Sequence, residues 1–444
     1  MASEARTSTP TDDAPGPATH RRGAGAAALA STFEWYDFFL FGTAAALVFG
    51  SEFFPSASPA AGAVASFATF AVGFLARPLG SVIGGHFGDR HGRKPVLVVS
   101  LLVMSVATAA IGLLPNYASI GIAAPVLLMT LRLIQGAAVG AQWGGSVLLA
   151  TESAPAGKRG LYGSIAGLGV PLGLILANAV FLTAEKAVSP AAFTSWGWRV
   201  PFLAGLLVVG IAWYIHRRVE ETPEFRAAEA RLAAEERAQK SRRSPLKQVL
   251  RHHLGTVLLA GGSFMVNTAT FYIMATGTLD YATRELGLKR DPILLIALVL
   301  SVVQLAVGPS SAALSDRIGR IKVYTAGTIG LMVWAVPMFL LIDTASYAGL
   351  FVGMLVCSLF LGLMSGPQAA LFTELFTPEM RFTGASLGYQ FATIVGGGFA
   401  PLIMVLLLDV FGTSLAVAAY IIVLAIGALC CIALLARGRN PLRR

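Results

Sequence analysis

The sequence predicts an all-α membrane protein of twelve transmembrane helices arranged as two six-helix halves. Three observations carry that expectation. Hydrophobic residues make up 55% of the 444-residue chain and charged residues only 13%, too few to cover soluble domains of that combined size. The mean hydropathy is +0.71, and the apolar residues come in runs of about 20, the length at which a helix crosses a bilayer. Polar motifs recur between those runs at a nearly constant separation.

The first half holds apolar runs at 27–50, 62–87, 96–114, 119–150, 161–184 and 199–216. The second holds runs at 254–278, 291–313, 323–342, 348–372, 384–408 and 413–436. Residues 1–25, rich in Ala, Pro, Thr and Ser, read as a disordered cytoplasmic tail without a cleavage site. The halves are 26–216 and 254–436, a cytoplasmic linker occupies 217–253, and 437–444 form a second cytoplasmic tail. Within the linker, Thr222, Pro223 and Glu224 offer a cap, a first-turn Pro and an early acid. The run that follows them is expected to form a short surface helix, with Glu236 and Lys240 one turn apart.

Basic residues set the orientation, because Lys and Arg near span ends stay on the cytoplasmic side. With both termini inside, 26 fall on the inner face and 5 on the outer, which places the protein in the plasma (inner) membrane as a multi-pass chain. The net charge of +10 then meets anionic lipid, and no nucleic acid partner is needed. Cys357, Cys430 and Cys431 sit in apolar runs without paired spacing. The histidines match no metal motif, no phosphate-cradling GxxxxGK[ST] occurs, and no nucleophile-base pair is visible, so neither metal, cofactor nor enzymatic activity is expected.

The halves repeat one another. GHFGDRHGRK after the second span has a counterpart in SDRIGRIK after the eighth, and TESAPAGKRG after the fourth one in TELFTPEMRFTG after the tenth. Asp89 and Asp316 are 227 residues apart, Glu152 and Glu374 222, and Gln142 and Gln368 226. Duplicated halves suit a carrier that rocks two bundles about a midplane site. In the first motif the glycines allow close helix approach, while Asp89, Arg90 and Arg93 supply charge that can pair with Glu152 and shut the cytoplasmic side. Asp316, Arg317, Arg320 and Glu374 form the corresponding set.

Charges inside the spans mark the function, since an ionised side chain there costs several kcal/mol unless paired. Glu34 and Asp37 lie one turn apart in the first span. Two adjacent acids disfavour double ionisation, which suits them to hold a coupled proton. Arg132, about a dozen residues into the fourth span, is placed near the midplane. It is expected to grip a substrate carboxylate with a two-pronged hydrogen bond and to neutralise Asp37 when the site is empty. Gln135, Trp143, Tyr36, Gln368 and Tyr389 are the further substrate-binding candidates. Arg77, beside Pro78 in the second span, is expected to snorkel or to pair with Asp89. The glycine-rich GLGVPLG of the fifth span and Gly396 to Gly398 of the eleventh mark helices that pack closely or bend.

GHFGDRHGRK resembles the loop signature of the major facilitator superfamily. EWYDFFLFGTAAALVFG, GFLARPLGSVIGG, RLIQGAAVGAQWGG, WGWRVPFLAG, RRVEETPEF and SGPQAALFTELFTPEMRFTGASLGYQ resemble the metabolite:proton symporter family, which includes shikimate, 2-oxoglutarate, citrate and proline/betaine carriers. The resemblance covers nearly the whole chain. It implies the major facilitator fold and secondary active, proton-coupled uptake of a small organic acid such as shikimate or a dicarboxylate by alternating access. The alternative is a zwitterionic osmolyte such as proline or betaine, and an exporter or a non-transporting membrane sensor ranks lower. The expected partners are a small-molecule substrate, protons and membrane lipid, with the chain monomeric and without an obligate protein partner. One departure stands out: where the family has Glu, this chain has Gln142.

Overall fold

The computed structural model describes residues 17–55, 59–152, 154–155, 157–218, 245–378 and 380–437. The described residues form helices and short connections, with no strand among them. The spans of the first half are α1 (Pro17–Ala44), α2 (Pro59–His91), α3 (Arg93–Leu113), α4 (Ala123–Glu152), α5 (Arg159–Ala187) and α6 (Phe193–Arg217). Those of the second are α7 (Leu254–Ala275), α8 (Arg290–Ile318), α9 (Arg320–Ile342), α10 (Tyr347–Glu374), α11 (Arg381–Phe411) and α12 (Leu415–Arg437). Ten have the length and apolarity of membrane spans, and α1 and α2, 28 and 33 residues long, make twelve.

Two boundaries differ from the sequence expectation. Helix α1 already begins at Pro17, so residues 17–25 of the expected tail are helical; a Pro in the first turn lacks only an N–H that would have had no partner anyway. Residues 245–252 of the expected linker form a short helix, Pro245–His252, whose Val249 is buried where it meets α2, α7 and α11. The expected surface helix around Glu236 and Lys240 lies outside the described residues, as do 438–444.

The duplication is written into the backbone. Gly92 joins α2 to α3 at φ 105°, and Gly319 joins α8 to α9 at φ 103°. Such dihedrals are strained for any residue with a Cβ, so glycine recurs at the same 227-residue offset as Asp89 and Asp316.

Within the first half α2 lies along α4 with backbones in contact. A Cβ on Gly136 would collide with the Gly73 carbonyl and one on Gly140 with the Arg77 carbonyl, and Ser81 Oγ donates to the Gly140 carbonyl at 3.0 Å. Lipid supplies no hydrophobic drive between helices, so small residues and hydrogen bonds of this kind hold the seam. Large apolar side chains such as Leu75, Leu207, Val333 and Val410 are exposed on the outside of the bundle, as a lipid-facing surface requires. The halves meet through α2 against α11 and α5 against α8 and α10.

Candidate functional site

A cavity of about 160 Å³ lies between the halves, walled by α1, α4 and α5 on one side and α7, α8, α10 and α11 on the other. Glu34 is the one charged residue on its wall among the described residues. Trp35, Trp143, Phe271, Tyr272 and Tyr389 supply aromatic surface, and Ser146, Asn267, Gln304 and Gln368 polar groups. Ser146 Oγ, Tyr272 OH and Gln368 Nε2 are buried on this wall without a hydrogen-bond partner. Buried polar groups rarely remain unpaired, so these three leave hydrogen-bonding capacity free on the wall. Glu34 is held by Gln142, whose Nε2 donates to Glu34 Oε2 at 3.3 Å and to the Ala30 carbonyl at 2.7 Å.

Of the residues expected from sequence to meet substrate, Trp143, Gln368 and Tyr389 line this cavity, together with Glu34. Arg132, Gln135 and Tyr36 do not. Tyr36 OH donates to the Pro201 carbonyl at 2.7 Å and thereby ties α1 to α6. Arg132 and Gln135 belong to a polar cluster sealed inside the first half. Arg132 Nη1 stands 3.6 Å from Asp37 Oδ2 and donates to Gln135 Oε1 at 3.2 Å, while its guanidinium lies 4.1 Å from the Phe41 ring centroid. Gln135 Nε2 donates to Asp37 Oδ1 at 2.9 Å and to Thr108 Oγ1 at 2.8 Å, and the Thr108 hydroxyl donates to Asp37 Oδ1. The reason for the difference is geometric. Asp37 is three residues beyond Glu34, about 300° around the helix, enough to turn it from the cavity toward α3 and α4. Once there, the carboxylate is paired with Arg132 through Oδ2 and hydrogen-bonded by Gln135 and Thr108 at Oδ1, as burial demands.

Between the cavity and the face bearing the Gly92 and Gly319 turns, Trp143 of α4 stacks flat on Tyr389 of α11, centroids 4.0 Å apart and planes at 4°. Nearer that face, a Cβ on Gly85, Gly88 or Gly144 would run into Thr383, Phe382 or Ser386 of α11. The outermost layer is ionic. Arg93 lies 3.7 Å from Asp89 and 3.4 Å from Glu152 and donates to the Pro378 carbonyl at 2.9 Å. Glu152 also accepts from Arg381 at 3.2 Å. Asp89 accepts from Thr383 Oγ1 at 2.7 Å and from the Thr383 N–H at 3.3 Å, near the start of α11.

The second half mirrors this set. Arg320 pairs with Asp316 at 2.7 Å and with Glu374 at 2.6 Å, and Asp316 accepts from the N–H groups of Gly160 and Leu161 at 2.9 and 3.0 Å. In each half an aspartate therefore engages the N-terminal N–H groups of a helix in the other half, where helix dipole and unpaired donors favour a negative charge. Arg90 and Arg317, expected among the gate residues, are exposed; Arg90 donates to His86 Nε2 at 2.9 Å on its own helix. Arg77 neither snorkels nor pairs with Asp89: it is buried, 4.4 Å from the Phe74 ring centroid and 5.6 Å from that of Phe38.

Thr108, Arg381 and Thr383 complete these networks and went unseen in the sequence. A threonine in an apolar helix can satisfy itself on the carbonyl one turn back, as Thr108 also does with Met104, so its identity carries no signal. Arg381 and Thr383 lie in a segment whose acid, Glu374, was the visible feature.

Comparison with known proteins follows the same lines. The family model described as Major Facilitator Superfamily matches residues 27–397. The shikimate transporter of Escherichia coli (strain K12) is 40% identical over 404 residues, covering 90% of this chain and 91% of its own. The proline/betaine transporter of the same strain is 32% identical over 408 residues, covering 91% of this chain and 81% of its own. Among solved structures, the proton:xylose symporter XylE bound to 6-bromo-6-deoxy-D-glucose superposes with a TM-score of 0.75 at 15% identity, over 95% of this chain and 96% of its own.

Proposed function

Since the chain belongs to the major facilitator superfamily and is a multi-pass metabolite transporter, we propose that it imports a small organic acid together with protons across the inner membrane. It does so as a monomer with both termini in the cytoplasm, by alternating access about the central cavity. The observation that carries this reading is the placement of Glu34 as the one charged residue of the cavity wall among the described residues. An anionic substrate meets like charge there until Glu34 is protonated, so proton and substrate enter together. Asp37 is the second proton site. A proton on its carboxylate weakens its hold on Arg132 and Gln135 and lets the first bundle repack between states.

The interlocked charges and glycines of α2, α4 and α11 close the cytoplasmic side, and their separation opens it. One proton crossing a potential of 100 mV supplies about 2.3 kcal/mol, enough for accumulation of tens-fold. The relatives' names fit the substrate class: a shikimate carrier at 40% identity and a proline/betaine carrier at 32%. A zwitterionic osmolyte is the second reading, favoured by the aromatic wall of Trp35, Trp143, Tyr272 and Tyr389 around a carboxylate, a setting suited to a quaternary ammonium group.

The test is uptake by purified protein in liposomes with the outside acidified, against shikimate, 2-oxoglutarate, proline and betaine. Accumulation of an acid that collapses with the pH gradient supports the primary reading. Uptake of proline or betaine alone replaces it with the second.

A further inference from the structure

Several polar side chains on the cavity wall are already spent on the protein itself. Asn267 Nδ2 donates to the Leu361 carbonyl at 3.0 Å, Gln304 Nε2 to the Ser358 carbonyl at 2.7 Å and the Thr268 hydroxyl to the Ala392 carbonyl at 2.9 Å. The hydroxyls of Ser365 and Thr393 donate to the carbonyls one turn back, those of Leu361 and Tyr389. Ser146 Oγ, Tyr272 OH and Gln368 Nε2 have no such outlet, although their residues are only 2%, 6% and 5% exposed.

Packing, not hydrogen bonding, holds these groups. A serine inside a helix can return its hydroxyl to the carbonyl four residues back, as Ser100 and Ser105 of α3 do; Ser146 of α4 does not. The Tyr272 ring of α7 is fixed without its hydroxyl. Phe38 of α1 and Phe74 of α2 pack edge-on against it at 6.1 and 5.8 Å, and a Cβ on Gly397 of α11 would strike it. Gln368 joins them from α10, so the set draws on both halves. Side chains locked in place with unspent polar ends lose little freedom when a ligand pairs them.

We propose that Ser146, Tyr272 and Gln368 bind the hydroxyl groups of the substrate and thereby select hydroxylated acids. The assignment rests on the organic-acid reading above and narrows it. Gln368 Nε2 only donates, whereas the Ser146 and Tyr272 hydroxyls both donate and accept. A cluster of substrate hydroxyls, each a donor and an acceptor, answers all three. A quaternary ammonium group offers no hydrogen bond, and an acid without hydroxyls leaves buried groups unpaired. A site built to pair a substrate hydroxyl discriminates strongly against the analogue that lacks it. A ligand held by all three also bridges the two bundles across the cavity, Ser146 from the first half and Tyr272 and Gln368 from the second.

The experiment compares binding of shikimate, a hydroxylated ring acid, with that of cyclohexenecarboxylate, the same ring acid without hydroxyls. It uses the purified full-length protein at about pH 6, where both acids are ionised. The unaltered protein binds shikimate roughly thirtyfold or more tightly than the deoxy acid. Ser146→Ala, Tyr272→Phe and Gln368→Leu each weaken shikimate roughly fivefold and leave the deoxy acid within about twofold. Equal affinity of the unaltered protein for the two acids overturns the assignment, and this comparison needs no variant to fold. Variants that weaken both acids alike overturn it as well, because they mark the three groups as packing or as holders of the carboxylate. Accumulation of 2-oxoglutarate without binding of shikimate refutes the assignment and spares the organic-acid reading. Uptake of proline or betaine alone refutes both.

Discussion

Arg93 and Arg320, 227 residues apart, occupy the same place in the two halves. Each follows a glycine of positive φ, pairs with the aspartate four residues before it, and holds a glutamate at the end of a distant span, Glu152 for Arg93 and Glu374 for Arg320. The two sets differ in burial. The Arg93 and Glu152 side chains are 1% exposed, whereas those of Arg320 and Glu374 are 15% and 20% exposed. Glu152 also serves Arg381 in the other half.

That asymmetry predicts unequal mutants. Removing one partner of a fully buried pair costs about 3–5 kcal/mol, and less where water reaches the pair and can solvate the charge left behind. Glu152→Gln is expected to lower uptake roughly tenfold or more and Glu374→Gln by less than about threefold. Initial uptake rates in vesicles with matched protein levels make the comparison, and equal losses would count against an asymmetric latch.

Close approach of α2 and α4 to α11 predicts a conformational block. A side chain at Gly144 meets Ser386 and Phe382, so Gly144→Leu keeps the two halves apart toward the face bearing the Gly92 and Gly319 turns, the cytoplasmic one in the proposed orientation. The variant reaches the membrane but transports poorly, and a thiol introduced by Ser386→Cys becomes reactive from that side. Labelling from the cytoplasmic side that does not rise excludes this closing surface.

Much of this arrangement was legible in the sequence, for a definite reason. Glycines at close contacts, acids in apolar runs and a 227-residue offset are rare enough to stand out; they pointed to the twelve-helix fold, and six of the eight charged residues they singled out pair with one another in the structure. The cavity was harder. Glu34 and Asp37 are three residues apart, and only helix rotation decides that one faces the cavity and the other Arg132. Periodicity places residues on a face but does not say which neighbour that face meets. Arg132 and Gln135 were therefore expected at the cavity wall and lie behind it.

The sealed cluster makes its own prediction. Asp37→Asn keeps the shape and removes the charge that Arg132, Thr108 and Gln135 surround. Counterflow of substrate across the membrane is expected to persist within a few-fold, while accumulation driven by a pH gradient falls to background. Thr108→Val, which removes one donor worth about 1 kcal/mol, lowers accumulation by less than tenfold. Full pH-driven accumulation by Asp37→Asn would remove Asp37 from the coupling.

The Trp143 and Tyr389 stack forms the floor of the cavity, and such a pair contributes about 0.5–1.5 kcal/mol beyond its buried area. Tyr389→Phe preserves the stack and keeps uptake within about twofold, whereas Tyr389→Ala weakens substrate affinity roughly tenfold. Titration of tryptophan fluorescence with substrate reads both. If the two variants behave alike, the ring face is not what matters.

The most direct test follows protons and substrate together. In liposomes loaded with a pH-sensitive dye and held without an initial pH gradient, adding substrate outside should acidify the interior as the substrate enters. The unaltered protein gives this signal, and Glu34→Gln and Asp37→Asn lose it. Substrate accumulation without any accompanying proton entry would contradict coupled uptake.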